Sequence, residues 1–184
     1  RSRLFFSTIG NHDVGGSDLD KTADGLGYFV NWRLPLNGPL STAGAPNTIP
    51  LKGSDSARRA FLTAAGNAFP KMTMYSFDYG NSHWSVFDGN AYGDWTDYEL
   101  RNWVARDLAA AKSATWKFAS FHQAAFDSNG GARYEKMAII ADVLEHGGVD
   151  IVFNGNTHNY QRSHPVRFMP KPGPCGRMVC DWPR

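Results

Sequence analysis

Apolar and polar residues alternate along two neighbouring segments near the middle of the chain. Residues 72–79 and 83–88 both have this period of two, and Gly80-Asn81-Ser82 separates them. Alternation of this kind is typical of strands with one buried face, and a short glycine-containing connection joins such strands into a hairpin. The pattern therefore predicts two antiparallel strands, with His83 packed in the hairpin rather than acting as a catalyst.

A helical period begins after the hairpin. Thr96 precedes Glu99 by three residues, as in a capping box. Apolar residues then recur on one helical face, namely Leu100, Trp103, Val104, Leu108 and Ala111. A second helix is predicted over residues 134–145, before Gly147-Gly148 end it, and a shorter one over residues 56–69.

Three further apolar runs have the length and composition of strands: 3–9, 116–121 and 149–153. Each run leads into a polar loop, so that Asn11, His122 and His158 all follow a predicted strand. Parallel or mixed sheets gather such strand ends along one edge, where the ligands of open α/β sheets bind. We therefore expect these three residues, far apart in sequence, to lie close together.

The composition is that of a globular protein. The chain has 184 residues, of which 42% are apolar and 14% aromatic, and this predicts a single domain over 1–184. Within it, residues from about 14 to 54 are predicted to form a long irregular loop over the surface, and residues from about 165 to 184 a tail rich in proline and glycine. The net charge of +2 comes from interspersed charges without a basic stripe, so neither nucleic acid nor a membrane is an expected partner.

Two cysteines, Cys175 and Cys180, lie close together in the tail. They form either a small-loop disulfide or two free thiols. A disulfide would favour an oxidising compartment, so the expected location is secreted or periplasmic.

Two polar motifs carry the chemistry. Gly10-Asn11-His12-Asp13 follows the first apolar run, and Asn154 to Arg162 follow the last. Together they offer imidazole, amide, carboxylate and guanidinium groups, which suit metal ions and phosphate. The pairing points to a dinuclear metal site that cleaves phosphoesters, in which two cations clamp the attacking and leaving oxygens.

Four blocks of this sequence, in this order, resemble the calcineurin-like metallophosphoesterase family and its purple-acid-phosphatase-like branch. The blocks are Gly10 to Asp13, Tyr75 to Trp84, Trp103 to Leu108 before His122, and Gly155 to Arg162. The resemblance implies an α/β fold, namely part of a four-layer α/β/β/α sandwich with mixed sheets, without its N-terminal strands. It also implies hydrolysis of phosphomonoesters.

The resemblance also implies roles for individual residues. Asn11 and His122 would bind the second metal, and His158 the first. His12, paired with Asp13, would contact the substrate phosphate and protonate the leaving group, and Arg162 would contact substrate or buttress the site. The expected cofactors are two divalent or mixed-valence ions of iron, zinc or manganese.

Two departures from the family pattern bear on activity. Asn156 stands where the family has a second-metal histidine, and it is either a weak ligand or only a turn residue. Two aspartate-bearing blocks, which would precede Arg1, have no counterpart. His12 as a turn cap and His122 as a packed core histidine remain the alternatives to catalytic and metal-binding roles.

The incomplete set of blocks leaves two interpretations of function. In the first, the chain is part of a phosphatase, is weakly active or inactive by itself, and has the missing N-terminal segment as a partner. In the second, it is an inactive relic of the fold that binds other molecules or self-associates through an exposed sheet edge.

Overall fold

The computed structural model describes residues 4–22, 25–128, 132–167, 171–172 and 178–179, of which 132–135, 171–172 and 178–179 are described by their backbone. A four-stranded mixed sheet lies at the centre, with strands in the order β1-β2-β3-β4. The first pair is antiparallel, whereas β2, β3 and β4 are parallel. The strands are Tyr75–Tyr79 (β1), Ser82–Val86 (β2), Trp116–Gln123 (β3) and Ile151–Gly155 (β4).

Helices surround this sheet, and a short antiparallel pair, Lys171–Pro172 (β5) and Met178–Val179 (β6), is separate from it. The α-helices are Asn11–Gly15 (α1), Tyr28–Asn31 (α2), Asp55–Ala65 (α3), Tyr98–Ala110 (α4) and Ala141–His146 (α5), and the 3-10 helices are Gly66–Ala68, Lys71–Thr73 and Ala132–Ile140. The predicted α/β class is confirmed, with the mixed sheet expected of a partial metallophosphoesterase fold. No helix among the described residues is long and apolar enough to cross a bilayer.

The predicted hairpin is confirmed. Tyr79 and Ser82 are the last pair of its ladder, so Gly80 and Asn81 form a two-residue turn. Gly80 has a φ of 60°, and a positive φ at the first turn position is the reason glycine is favoured there.

The predicted helix after the hairpin is also confirmed, although its cap lies one residue later. The Asp97 carboxylate accepts a hydrogen bond from the Leu100 N–H at 3.0 Å, whereas Thr96 donates to Asp94. A carboxylate in this position is also stabilised by the positive end of the helix dipole. Leu100, Val104 and Leu108 are buried, as the apolar stripe predicts.

The prediction of a strand at residues 3–9 is wrong for the part that the structure describes, 4–9, which has no strand. Side chains rather than a hydrogen-bond ladder attach this segment. The Phe6 ring stacks on Phe77 with centroids 3.7 Å apart, and the hydroxyls of Thr8 and Ser120 are 2.9 Å apart.

Other boundaries shift for local reasons. The helix predicted over 134–145 is a 3-10 helix as far as Ile140, and only α5 is α-helical. At this transition, Arg101 of α4 donates to the Ile139 carbonyl oxygen at 2.6 Å, an acceptor that a regular α-helix would use internally. The helix predicted over 56–69 ends at Ala65, because Gly66 takes a positive φ of 53°.

Each face of the sheet packs against its own apolar core. One face meets α4 and α5 through residues that include Phe87, Ala119 and Phe121. The other face meets α3 and the long segment after α1, which buries Leu26, Tyr28, Phe29, Leu34 and Ile49. That segment is therefore part of the core, contrary to the predicted surface path. Cys175 and Cys180 lie outside the described residues.

Lys117 of β3 links the ends of two helices. Its ammonium group donates to the carbonyl oxygen of Leu108 in α4 at 2.8 Å and to that of Gly147, just after α5, at 2.9 Å. Carbonyl groups at helix C-termini lack intrahelical partners. The Lys117 ammonium group therefore supplies a hydrogen-bond donor to the C-terminal ends of both α4 and α5.

His83 is buried between two carboxylates, as a packed rather than exposed residue. Its Nδ1 is 2.8 Å from Asp78 Oδ1, and its Nε2 is 3.0 Å from Asp107 Oδ2. Ser76 and Ser85 both donate to Asp107, at 2.5 and 2.7 Å. Because Asp107 belongs to α4, this cluster fastens that helix to the hairpin.

Charge pairing within the cluster shifts the pKa values of both His83 and Asp107. The hydrogen bond to Asp107, reinforced by Asp78, raises the pKa of His83 against the opposing effect of burial. Burial would raise the pKa of Asp107, but the hydrogen bonds from His83, Ser76 and Ser85 outweigh it and lower that pKa.

We predict that His83→Gln destabilises the protein most below pH 6.5. A histidine with a raised folded-state pKa stabilises fully below its unfolded pKa, and the effect is lost as the pH rises through the folded value. Removing hydrogen bonds to charged partners should cost about 2 kcal/mol at pH 5 and less at pH 8. Urea unfolding across this range measures the difference, with the exposed His146→Gln as control. A loss of stability that does not depend on pH would contradict charge pairing between His83 and the two carboxylates.

Candidate metal and phosphate site

Three loops that are distant in sequence meet at the imidazole ring of His122. A Cβ atom added to Gly10 would lie 3.2 Å from this ring, and one added to Gly155 would lie 3.0 Å from its Nδ1. These distances are shorter than nine in ten contacts of real Cβ atoms. Glycine at both positions therefore lets the ring lie between the first and last polar motifs.

A bulge in β3 helps to orient His122. Ser120 pairs with Phe153 and Gln123 with Gly155, so β3 contains one more residue than β4 over this interval. Asn154 donates from Nδ2 to the Phe121 carbonyl oxygen at 2.8 Å and bridges the irregular stretch. Bulges are common beside active sites because they redirect a side chain.

The side chains of Asn11 and His122 are in direct contact. Asn11 Oδ1 is 2.9 Å from His122 Nε2. Asn11 is the first residue of α1, and the Asp13 carboxylate accepts a hydrogen bond from the Gly10 N–H at 2.8 Å. Asp13 thus fixes the turn from which Asn11 and His12 project.

Charged groups of both motifs lie close enough to act on His122. Burial lowers the pKa of His122, the charges of His12 and His158 lower it further, and Asp13 opposes them. Asn11, His12, Asp13 and His158 are exposed, whereas His122 is half-buried. A solvent-accessible group of polar side chains therefore surrounds one partly buried imidazole.

The remaining predicted residues lie in the loop after β4. Asn156 has a φ of 64°, a left-handed conformation that asparagine tolerates, which agrees with its interpretation as a turn residue. Arg162 is exposed. Between them, Gln161 accepts a hydrogen bond from the Ser128 N–H at 2.8 Å and ties this loop to the segment after β3.

The described residues around His122 match the needs of a metal ion only in part. Among the described residues, no group of three or more histidine, cysteine, aspartate or glutamate side chains is arranged to hold a metal ion. Asn11 and His122 do offer an oxygen and a nitrogen at the separation of about 3 Å that neighbouring ligands of one ion have with metal–ligand bonds near 2.1 Å. Asn11 and His122 could therefore fill two coordination positions of one ion.

Sequence comparison shows which family the chain belongs to. The sequence model of the Calcineurin-like phosphoesterase family matches residues 3–160. The chain belongs to that family. The match includes all three loops around His122, and it covers the predicted site residues from Asn11 to His158.

The curated relatives are plant proteins of the purple-acid-phosphatase branch. Purple acid phosphatase 21 of Arabidopsis thaliana is 32% identical over 96% of this chain and 35% of its own length. Purple acid phosphatase 15 of the same plant is 33% identical over 83% of the chain and 30% of its own length. The chain thus spans about a third of the length of these relatives, and within the metallophosphoesterase family it belongs to their branch.

Some residues that build the site were not predicted from the sequence. Asn154 and Gln161 have no ligand-like signature; Asn154 contacts a backbone carbonyl of β3, and Gln161 contacts a backbone N–H of the segment after β3. The one available signal was their place in the last polar motif, among residues of the family block. Asp88, Asn90 and Gln123, which adjoin the site from the interior, gave no signal at all.

We predict that Gly155→Ala displaces the His122 ring, because the new methyl group would lie 3.0 Å from Nδ1. The shift should break the contact between Asn11 and His122, and it is measured by the 15N resonances of the His122 side chain. Gly15→Ala is the control, since a Cβ there meets nothing within 4 Å. Unchanged resonances in the Gly155 variant would contradict the close packing.

Proposed function

We propose that this chain carries part of the active site of a metal-dependent phosphomonoesterase. The observation that carries the proposal is the contact of 2.9 Å between Asn11 Oδ1 and His122 Nε2, formed where the polar motifs of a phosphoesterase-family chain meet. The family itself indicates phosphoesterase activity and dinuclear metals. The activity of a whole protein and the phosphomonoester substrate belong to the proposal, because the chain spans only a third of its relatives.

The proposed metal ligands come from all three loops. Asn11 and His122 would hold the second ion and His158 the first, while the Asn156 side chain contributes at most weakly. Two bound cations would supply charge for both the attacking and the leaving oxygen and would activate water near neutral pH. Since an amide oxygen is a weaker donor than imidazole for zinc or iron, this chain by itself should bind such ions weakly.

The other polar side chains would handle the substrate. His12 is exposed next to Asn11, so its imidazole can reach a bound phosphate and give a proton to the leaving oxygen. Asp13 positions His12 by holding the Gly10 N–H. The Arg162 guanidinium, with its fork of donors, is suited to bind phosphate oxygens.

The metal role of His122 can be tested on this chain. We expect titration calorimetry to show weak binding of Zn²⁺, and His122→Ala to remove most of it. Hydrolysis of a chromogenic phosphate ester with Zn²⁺ or Mn²⁺ present should be slow, because only two coordination positions are supplied together.

His164→Ala is the control, since His164 is an exposed histidine with no described hydrogen bond to the residues around His122. Zn²⁺ binding that survives His122→Ala would overturn the metal role. Rapid hydrolysis that chelators abolish would instead overturn the view that the site is incomplete.

A second candidate function is assembly with other chains. Among the described strands, β4 forms one edge of the sheet. Its apolar residues Ile151, Val152 and Phe153 are 48%, 38% and 45% exposed. Natural proteins usually protect such edges with charge, proline or a covering segment, because an open edge pairs with other strands. This observation favours a relic of the fold that self-associates.

For this candidate we expect sedimentation velocity to show concentration-dependent oligomers. Val152→Lys should shift the distribution toward monomer, because a charge on an edge strand opposes strand pairing. Val166→Lys places the same charge on an exposed residue outside the sheet and should have no effect. A monomeric wild-type chain at all concentrations would exclude the assembly function.

A further inference from the structure

A buried polar network adjoins the meeting point of the three loops. Its centre is Asn90, whose side chain is 2% exposed, and its neighbours Asp88 and Gln123 are 6% and 3% exposed. These three residues lie in the loop after β2 and at the end of β3. Burying this many polar groups costs free energy unless they are hydrogen-bonded.

Asn90 uses every polar atom of its side chain. Its Nδ2 donates to Asp88 Oδ1 at 2.9 Å and, over a longer distance of 3.4 Å, to the Gly10 carbonyl oxygen. Its Oδ1 accepts from Gln123 Nε2 at 2.8 Å. The backbone is held as well, because the Asn90 N–H donates to Asp88 and Lys136 donates to the Asn90 carbonyl oxygen.

Two of these partners are immediate neighbours of the proposed metal ligands. Gly10 precedes Asn11, and Gln123 follows His122. One amide group therefore connects the backbone that carries Asn11 with the residue next to His122. The Gly10 backbone is held on both sides, since its N–H donates to Asp13 while its carbonyl oxygen accepts from Asn90.

We propose that Asn90 is a positioning residue that holds Asn11 and His122 at the separation needed to share one cation. The inference rests on the proposed function, and it assigns Asn90 a role through Gly10 and Gln123 rather than through contact with substrate. Groups behind metal ligands that fix their orientation commonly affect metal affinity by about ten- to a hundredfold.

The competing explanation is that Asn90 only satisfies the buried carboxylate of Asp88. Tyr92 separates the two explanations, because its hydroxyl also donates to Asp88, and no described hydrogen bond joins its side chain to Gly10 or Gln123. Tyr92→Phe therefore removes a donor from Asp88 and leaves both arms of Asn90 in place. It is the matched control for Asn90→Ala.

The experiment compares both variants with the wild-type chain by amide hydrogen exchange at Asn11 and His12, by the 15N resonances of the His122 side chain, and by Zn²⁺ titration. We expect Asn90→Ala to speed exchange at the Gly10 loop, to shift the His122 resonances and to weaken Zn²⁺ binding about tenfold or more. Tyr92→Phe should change the exchange rates, the His122 resonances and the Zn²⁺ affinity only as much as its loss of global stability accounts for. Equal effects of the two variants would overturn the proposal.

Two further measurements keep the test decisive. If Asn90→Ala does not fold, Gln123→Leu removes the other arm of the bridge and should shift the His122 resonances in the same direction; unchanged resonances would overturn the proposal. Exchange and resonance shifts need no metal, so they report on positioning even if the wild-type chain fails to bind Zn²⁺, a result that would count against the proposed function alone.

Discussion

The arrangement of the candidate site depends on one steric constraint, the packing of a single imidazole ring between two glycines. His122 fits closely at the meeting point because Gly10 and Gly155 have no side chains, and a Cβ atom at either position would require the ring to shift by a few tenths of an ångström. Protein interiors are too tightly packed to absorb an added methyl group without movement. The constraint joins residues more than a hundred positions apart, and the contact with Asn11 follows from it.

Hydrogen bonding from the interior complements this packing. The bulge in β3 turns His122 out of the regular strand, Asn154 fills the gap in its ladder, and Asn90 connects the flanking residues. The His83 cluster performs a comparable task for α4 with charges instead of amides. Polar groups thus define the positions of elements whose burial is provided by the two apolar cores.

The sequence was most informative where one physical period dominates. Alternation predicted the β1–β2 hairpin and the apolar stripe predicted α4. Asn11 and His122 do lie together as expected, although the segment before Asn11 is not the strand on which that expectation rested. The prediction failed at residues 4–9, where apolar character reflects side-chain packing on Phe77 and not strand pairing. The network around Asn90 could not be predicted, because isolated polar residues carry no period and their partners depend on how the chain folds. The capping prediction at Thr96 failed because Thr96 donates to Asp94, while the Asp97 carboxylate caps the Leu100 N–H.

The double contact of Lys117 has a mechanical consequence. A single ammonium group satisfies carbonyl oxygens at the ends of both α4 and α5. Fraying of either helix would therefore leave the cation with one partner fewer and weaken the hold on the other helix. The ends of α4 and α5 are thus linked through one side chain, so that local opening of either end bears on the other.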